Sequence, residues 1–233
     1  MTDPATSRRR GFRDGMASVA PLLLGVAPFG IVAGAAVVDA GFHLPENAGF
    51  SMVIFAGAAQ LAAIDLLKQD APAVVAILTV LVINARHIMY SAALAPSFAA
   101  RTMRERLAAA YVMTDQAFAV TISRRQADPS YQPWLAFYFG GALTLWTVWQ
   151  IMTSIGVLVG DNVPDSVPLE FAIPLTFMAL LVPSVVDRPT LTAAATGAAV
   201  ATAAAPLPWN LGMLLGSAAG IAAGVVHSLR RNP

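Results

Sequence analysis

A cation, an imidazole and an amide interrupt an otherwise apolar stretch, residues 72–96. Arg86 is costly there, because an arginine inside a bilayer costs at least about 2.5 kcal/mol to insert and needs a partner or an aqueous cavity. It is therefore predicted to bind the carboxylate of a substrate. Asn84 and Tyr90 are predicted to line the same site. His87 is a candidate proton carrier, since its charge changes near neutral pH.

A carboxylate occupies a second polar insertion, Thr114-Asp115-Gln116. If this segment is a helix, Asp115 lies near mid-span, where an unpaired carboxylate is expected to be protonated. Asp115 is predicted to bind the ammonium group of a zwitterion or to carry a coupling proton. Two structural alternatives stay open: an interfacial turn at Asp115, and an ion pair of Arg86 with Asp115 or Asp65.

Gln60 is the polar residue of the segment Phe55-Ala-Gly57-Ala-Ala-Gln60. Its amide offers donors and an acceptor, which suits either a ligand or a bond to a neighbouring helix. We include Gln60 in the predicted substrate site as a companion of Asp115. Helix packing is the alternative role.

The first apolar segment contains Gly25, Pro28, Phe29, Gly30 and Gly34. Proline removes a backbone donor and glycine permits unwinding, so a broken helix is predicted here, as in many transporters. Phe29 and Gly30 are accordingly predicted to contribute to substrate binding. The alternative is that Gly30 and Gly34 form a small-residue packing face for another helix.

The composition excludes most soluble proteins. Of 233 residues, 57% are hydrophobic and only 12% are charged, with a net charge of +1 and a mean hydropathy of +0.67; soluble proteins carry about 25% charged residues. No nucleic-acid partner is expected, because no basic stripe is interleaved with aromatic residues. With no cysteine and three scattered histidines, neither a metal site nor another cofactor is expected.

Long uncharged stretches predict an all-α, polytopic membrane protein with seven or eight transmembrane helices, some broken by glycine and proline. A single transmembrane domain is predicted over residues 15–229, between a basic N-terminus, 1–14, and a short tail, 230–233. The candidate spans are residues 15–38, 48–67, 72–96, 107–122, 134–159, 168–186, 191–205 and 209–227.

Arginines predict the orientation in the bilayer. Arg8, Arg9, Arg10 and Arg13 place the N-terminus in the cytoplasm. Eight alternating spans would then put the arginines of residues 101–106 outside, against the same rule. Either a segment before them is re-entrant, or one of the short candidate spans does not cross the membrane.

An internal repeat is a further possibility raised by the sequence. Leu44-Pro45-Glu46 precedes the second candidate span, and Pro168-Leu169-Glu170 precedes the sixth. Transporters are often built from such repeats. Four spans per half would give parallel repeats, and three would give inverted ones.

Four motifs in one order resemble a known family: Pro28-Phe29-Gly30, Phe55-Ala-Gly57-Ala-Ala-Gln60, Asn84-Ala-Arg86-His87-Ile-Met-Tyr90 and Thr114-Asp115-Gln116. Together they are similar to the AzlC/YgaZ family, the large subunits of bacterial branched-chain amino acid exporters. The resemblance covers nearly the whole chain. It implies a multi-pass protein of the bacterial inner membrane that exports valine, leucine, isoleucine and sometimes methionine with a small AzlD/YgaH-type membrane subunit. Family members often have leucine where this chain has Ala85.

The function expected from these observations is proton-coupled secondary export of amino acids with apolar side chains. Two alternatives are a non-transporting membrane subunit or scaffold, and a transporter of another small solute. The chain carries no H-E-x-x-H, G-x-S-x-G or G-x-x-x-x-G-K-[ST] motif. Neither an enzyme nor nucleotide binding is therefore expected.

Overall fold

The computed structural model describes residues 4–160, 185, 187–207 and 211–231, and within them every regular element is a helix. The predicted all-α class is therefore confirmed for this part of the chain. The α-helices are α1 Pro4–Val19, α2 Leu23–Asp39, α3 Leu44–Val53, α4 Gly57–Lys68, α5 Ala73–Asn84, α6 Arg86–Phe98, α7 Met103–Tyr111, α8 Asp115–Ala127, α9 Trp134–Gly160, α10 Arg188–Ala203 and α11 Leu211–Arg231.

Four helical stretches of the described residues are long and apolar enough to cross a membrane. They are Ala5–Asp39, Ala73–Phe98, Trp134–Gly160 and Leu211–Arg230. They coincide with the predicted spans 15–38, 72–96, 134–159 and 209–227. The predicted span 191–205 is helical as α10, but its 16 residues reach only about 24 Å, against a bilayer core of about 30 Å.

Two of the predicted spans are not continuous helices. Residues 48–67 divide into α3 and α4 at residues 54–56, where Phe55 adopts a positive φ of 38°. Residues 107–122 divide into α7 and α8, because Thr114 is extended and its hydroxyl accepts a hydrogen bond from the Ala117 amide. The predicted span 168–186, and the repeat motif at 168–170, lie outside the described residues apart from Val185.

The first predicted span, 15–38, is not one uniform α-helix, because a short 3-10 turn, Ala20–Leu22, separates α1 from α2. The break expected at Pro28 is absent, since α2 runs through Leu23–Asp39 with Pro28 inside it. Its glycines serve packing: a Cβ on Gly30 would lie 2.7 Å from the Met152 Cβ, and one on Gly34 would clash with the Thr153 carbonyl. The alternative reading, a small-residue packing face, describes this helix.

The described residues form two compact units, drawn from Met1–Gln60 with Ile83–Pro164 and from Leu61–Val82 with Asp165–Pro233. In the first unit, α1, α2, α3 and α8 pack against α9. Its main core surrounds Tyr138, which is 1% exposed and donates a 2.6 Å hydrogen bond to the Ala109 carbonyl. In the second unit, α10 packs on α11 through Gly197, Gly216 and Gly220.

Candidate functional site

Helices α7 and α8 form a hairpin that enters and leaves the first unit at one end of α9. The guanidinium of Arg101, before α7, lies 5.7 Å from the Trp134 ring, and that of Arg125, near the end of α8, lies 5.2 Å from the same ring. At the turn, Trp146 Nε1 donates to the Tyr111 hydroxyl at 3.4 Å. Trp146 lies about 18 Å along α9 from Trp134, so the hairpin reaches mid-helix and returns.

This hairpin groups arginines from both sides of it at one end of α9. The chain turns back at residues 112–114, so Arg101 and Arg125 both lie at the Trp134 end, where Arg8 lies beside Arg101. Arg10 pairs with Asp14 at 3.9 Å, and Asp14 accepts a 2.9 Å hydrogen bond from Tyr131. Tyr131 in turn lies under the guanidinium of Arg124 at 4.3 Å.

The α3–α4 segment approaches the same depth from the opposite end of α9. The Phe42 amide donates a hydrogen bond to the Val37 carbonyl, close to Gly160 at the end of α9. From there α3 runs towards the middle of α9. The chain turns back at residues 54–56. The evidence is a 3.2 Å hydrogen bond that Gln60 Nε2 donates to Ser51 Oγ, since Ser51 and Gln60 would lie about 13.5 Å apart along the axis of one continuous helix.

The turns of the two segments meet. The Tyr111 hydroxyl, at the end of α7, donates a 3.0 Å hydrogen bond to the Met52 carbonyl, near the end of α3. Phe55 beside it holds the left-handed backbone conformation, which is strained for an aromatic residue. Strained backbone of this kind clusters at functional sites.

An ion pair joins the first residues of α6 and α8. Arg86 Nη1 lies 2.8 Å from Asp115 Oδ2, and the two side chains are 32% and 38% exposed. Helix α6 ends at Phe98, whose ring packs 5.0 Å from that of Trp134, so Arg86 also lies about 18 Å inward. Both charged side chains are thus partly exposed about halfway along the length of α9.

The ion pair leaves hydrogen-bonding capacity unused. Within the described part of the chain, Arg86 Nε, Asp115 Oδ1 and Asn84 Oδ1 are buried and have no hydrogen-bond partner. An unpaired buried polar atom costs about 1–3 kcal/mol.

Aromatic residues border the ion pair. The Tyr90 side chain lies close enough to the Asp115 carboxylate for the two to interact electrostatically, and its ring stacks on Phe118 at 4.4 Å. The His87 ring lies 5.8 Å from that of Tyr90. The structure thus brings together Arg86, His87, Tyr90 and Asp115 of the predicted site, with Asn84 at the end of α5, two residues before Arg86. We call these residues and Phe118 the charged cluster.

Gln60 belongs to a different group of side chains, the neutral cluster, formed by Asn47, Ser51, Gln60, Trp149 and Thr153. Gln60 Oε1 accepts from Trp149 Nε1 at 3.3 Å. Thr153 Oγ1 lies 3.2 Å from Ser51 Oγ and accepts from Asn47 Nδ2 at 3.3 Å. Asn47, Ser51, Gln60 and Thr153 are at most 1% exposed, so this cluster is sealed inside the protein.

Phe29 and Gly30 lie beside the neutral cluster. The Phe29 ring packs 5.4 Å from that of Trp149, and the close approach of Gly57 to both rings leaves no room for a Cβ. The substrate roles of Phe29, Gly30 and Gln60 stay predictions. The sequence analysis missed Asn47, Ser51 and Thr153; the spacing of the first two, one helical turn apart, was the available signal.

Two carboxylates outside the membrane-spanning stretches cap helices. The backbone amides of Glu46 and His43 lower the pKa of the Glu46 carboxyl, which accepts from the His43 amide at 3.0 Å. The Thr102 amide and hydroxyl lower the pKa of Glu105 in the same way at the start of α7. Each capping box satisfies amides that a helix start leaves unpaired.

Comparisons with known proteins give the family. The protein-family model described as "AzlC protein" matches residues 21–163 of this chain, which include all four motifs quoted above. The chain is 27% identical to "Inner membrane protein YgaZ" of Escherichia coli over 192 residues, 79% of this chain and 77% of that protein. It is 30% identical to a membrane protein of Archaeoglobus fulgidus over 186 residues, 78% of this chain and 80% of that one.

A membrane protein of Helicobacter pylori is 27% identical over 175 residues, 74% of this chain and 75% of that protein. No solved structure matches the chain significantly. The family match covers more than half of the chain, including α2 to α9 and both polar clusters. The chain is therefore a membrane protein of the AzlC family.

Proposed function

We propose that this chain exports branched-chain amino acids, and methionine, across the bacterial inner membrane. The observation that carries the proposal is the Arg86–Asp115 ion pair, which is one-third exposed at mid-membrane depth and keeps unpaired atoms on both partners. An amino acid is a zwitterion and presents the same two charges in one molecule. It can therefore replace each partner of the ion pair with its own matching group.

The exchange keeps charges paired. The substrate carboxylate takes the place of Asp115 on the Arg86 guanidinium, and the substrate ammonium takes the place of Arg86 on the Asp115 carboxylate. An unpaired charge in a low-dielectric interior is strongly unfavourable. When the Arg86–Asp115 pair is replaced by one pair between Arg86 and the substrate and one between Asp115 and the substrate, no charge is left unpaired.

The surroundings favour a substrate with an apolar side chain. Tyr90 and Phe118 stack beside the ion pair, and they offer ring faces rather than charges to the rest of the ligand. Pockets of this kind orient a ligand by a few polar groups and bind the remainder by apolar contact.

Broken helices at the site support a transporter. The motifs that contain Gln60 and Asp115 both follow interruptions, at residues 54–56 and at residues 112–114. Irregular backbone at membrane depth occurs where protein or a water-filled cavity satisfies it. Substrate sites of secondary transporters commonly form at such interruptions.

Proton coupling is proposed through Asp115, with His87 as the second candidate. Protonation of Asp115 removes its attraction for the substrate ammonium and so favours release. A proton gradient can then drive net movement of the substrate. The test is whether export in vesicles responds to an imposed pH gradient and whether His87→Gln keeps that response; a His87→Gln variant that still exports but no longer responds would assign the coupling to His87.

The orientation and the partner are also proposals. Nine arginines gather at the Trp134 end of the first unit: Arg8, Arg9, Arg10, Arg13, Arg101, Arg104, Arg106, Arg124 and Arg125. The positive-inside rule places that end, and the N-terminus, in the cytoplasm. The name of the Escherichia coli relative supports an inner-membrane location. A small AzlD/YgaH-type membrane subunit is the proposed partner.

The experiment is an export assay in cells that lack their own exporters. After a dipeptide load, intracellular leucine, valine, isoleucine and methionine are followed with this chain alone, with the small subunit, with Arg86→Ala, and with Arg104→Gln as a matched loss of an exposed arginine. We expect faster loss of all four amino acids, abolished by Arg86→Ala and retained by Arg104→Gln.

The same assay tests the two rival functions. If Arg86→Ala prevents assembly with the small subunit, and the intact complex moves none of the four amino acids, the chain is a non-transporting subunit. If a folded complex leaves these amino acids untouched but clears another small solute from the cell, the substrate assignment is wrong while the transporter assignment stands.

A further inference from the structure

A second candidate site lies away from both polar clusters, at the Trp134 end of the first unit. A cavity of about 480 Å³ opens there between α1, the start of α7 and the start of α9. Its polar wall includes Arg8, Arg101 and Glu105, and its apolar wall includes Leu135, Ala136 and Phe139. Cationic and membrane-spanning surfaces thus meet in one cavity.

The arginines of this cavity keep donors available. Glu105 directs Oε2 to the Thr102 amide and hydroxyl, at 2.9 and 3.0 Å. Its Oε1 lies 4.0 Å from Arg101 Nη1, which is beyond hydrogen-bonding distance. Arg8 attracts the same carboxylate only through space. Two guanidinium groups therefore face one carboxylate, and the cavity carries a net positive charge.

The apolar wall belongs to α9, one of the membrane-crossing helices. Leu135, Ala136 and Phe139 lie on its first turns, immediately after Trp134, whose ring holds the Arg101 guanidinium at 5.7 Å. Tryptophan and arginine concentrate where a protein meets the headgroup layer of a bilayer. The cavity therefore has a cationic mouth at headgroup level and an apolar side at acyl-chain level.

We propose that this cavity binds an anionic phospholipid, with the phosphate on Arg8 and Arg101 and the start of an acyl chain along Leu135 and Phe139. Arginine pairs with phosphate through two parallel hydrogen bonds. Basic pockets between transmembrane helices recognise anionic headgroups in this way. The lipid would join α1 to the base of the α7–α8 hairpin, the element that carries Asp115.

The test compares lipids on the purified full-length protein. Native mass spectrometry counts retained lipids, and thermal unfolding is followed with added phosphatidylglycerol, phosphatidylcholine or glycerol 3-phosphate. We expect phosphatidylglycerol alone to be retained and to raise the unfolding temperature. The Arg8→Gln/Arg101→Gln variant should lose most of both effects, and Arg8→Lys/Arg101→Lys should keep part of them.

The matched control is Arg9→Gln/Arg104→Gln, which removes the same charge from the same end without changing the cavity lining. If this control loses as much lipid as the cavity variant, the attraction is general to the arginine-rich end and the site is disproved. Equal effects of phosphatidylglycerol and phosphatidylcholine would also disprove it. An equal shift with glycerol 3-phosphate would replace the lipid by a soluble phosphate ligand.

Discussion

The two polar clusters of the first unit lie at similar depth along α9 but differ in charge and exposure. The charged cluster holds the Arg86–Asp115 ion pair, one-third exposed and incompletely hydrogen-bonded. The neutral cluster around Gln60 is sealed, and its hydroxyl and amide groups bond one another except at Asn47 Oδ1, which has no hydrogen-bond partner. We propose two roles for these clusters: the exposed charges exchange with a solute, while the sealed neutral groups hold the α3–α4 turn against α9.

The largest effect is expected at the charged cluster. Arg86→Ala and Asp115→Asn each remove a charge-assisted bond worth about 1.5–3 kcal/mol, so export should fall by at least about tenfold. The export rate is measured from the fall of intracellular leucine after a dipeptide load, normalised to the amount of the protein in the membrane. Export near the wild-type rate in either variant would break the proposed division of roles.

Substitutions in the neutral cluster should act on stability. Ser51→Ala and Thr153→Val each leave buried partners unsatisfied and should cost about 1–3 kcal/mol of unfolding free energy. Because the two hydroxyls are 3.2 Å apart, the double variant should cost less than the sum of the two. Thermal unfolding in detergent measures the stability, and export per folded molecule should change little. A loss of export without a change in stability would contradict the structural role and would support the prediction that Gln60 and its neighbours bind the substrate.

The packing of α2 against α9 beside the neutral cluster can be tested by substituting two glycines of α2. Gly34→Ala places a methyl against the Thr153 carbonyl and Gly156, which should cost about 1–3 kcal/mol through overpacking. Gly25→Ala is the matched control, because nothing lies within 4 Å of its added Cβ. The unfolding temperature should fall for the first and stay level or rise for the second. Equal effects would mean that α2 does not pack on α9 through Gly34.

The smallest effect is expected at Glu46, which caps the helix leading to the neutral cluster. Its pKa is lowered in the folded state by the amides of Glu46 and His43. Its contribution is thus full above the ordinary pKa of about 4.3 and is lost as pH falls through the lowered value. The unfolding-temperature gap between wild type and Glu46→Gln should shrink from pH 7 to strongly acidic pH. A gap that does not change with pH would exclude a role for the charge.

The sequence predicted the charged cluster better than the neutral one. A lone Arg86 in an apolar segment demands a partner, and Asp115 was one of two candidates for it. The neutral cluster has no such signal, because Asn47, Ser51 and Thr153 are ordinary residues until α9 brings them together. A charged residue in an apolar segment is costly to insert into a membrane and is therefore noticeable in a sequence. A serine or threonine hydroxyl costs much less, so its position gives no such signal.

Helix breaks were predicted at the wrong positions for a similar reason. Pro28 and its glycines suggested a break in α2, yet the helix continues because Gly30 and Gly34 pack against α9. The turn at residues 112–114 contains neither proline nor glycine, and Thr114 ends one helix and caps the next. The arginines of residues 101–106 indicated only that a segment before them is re-entrant or that one of the short candidate spans does not cross, without specifying the turn at residues 112–114.

Equilibrium binding of radiolabelled leucine to the purified full-length protein tests the central claim most directly. Wild type and Ser51→Ala should bind leucine saturably, and Arg86→Ala and Asp115→Asn should not. Isocaproate lacks the ammonium group and isoamylamine lacks the carboxylate, so each should compete far more weakly than valine. Wild-type affinity in Arg86→Ala, or competition by isocaproate equal to that of valine, would contradict a site built on the Arg86–Asp115 pair.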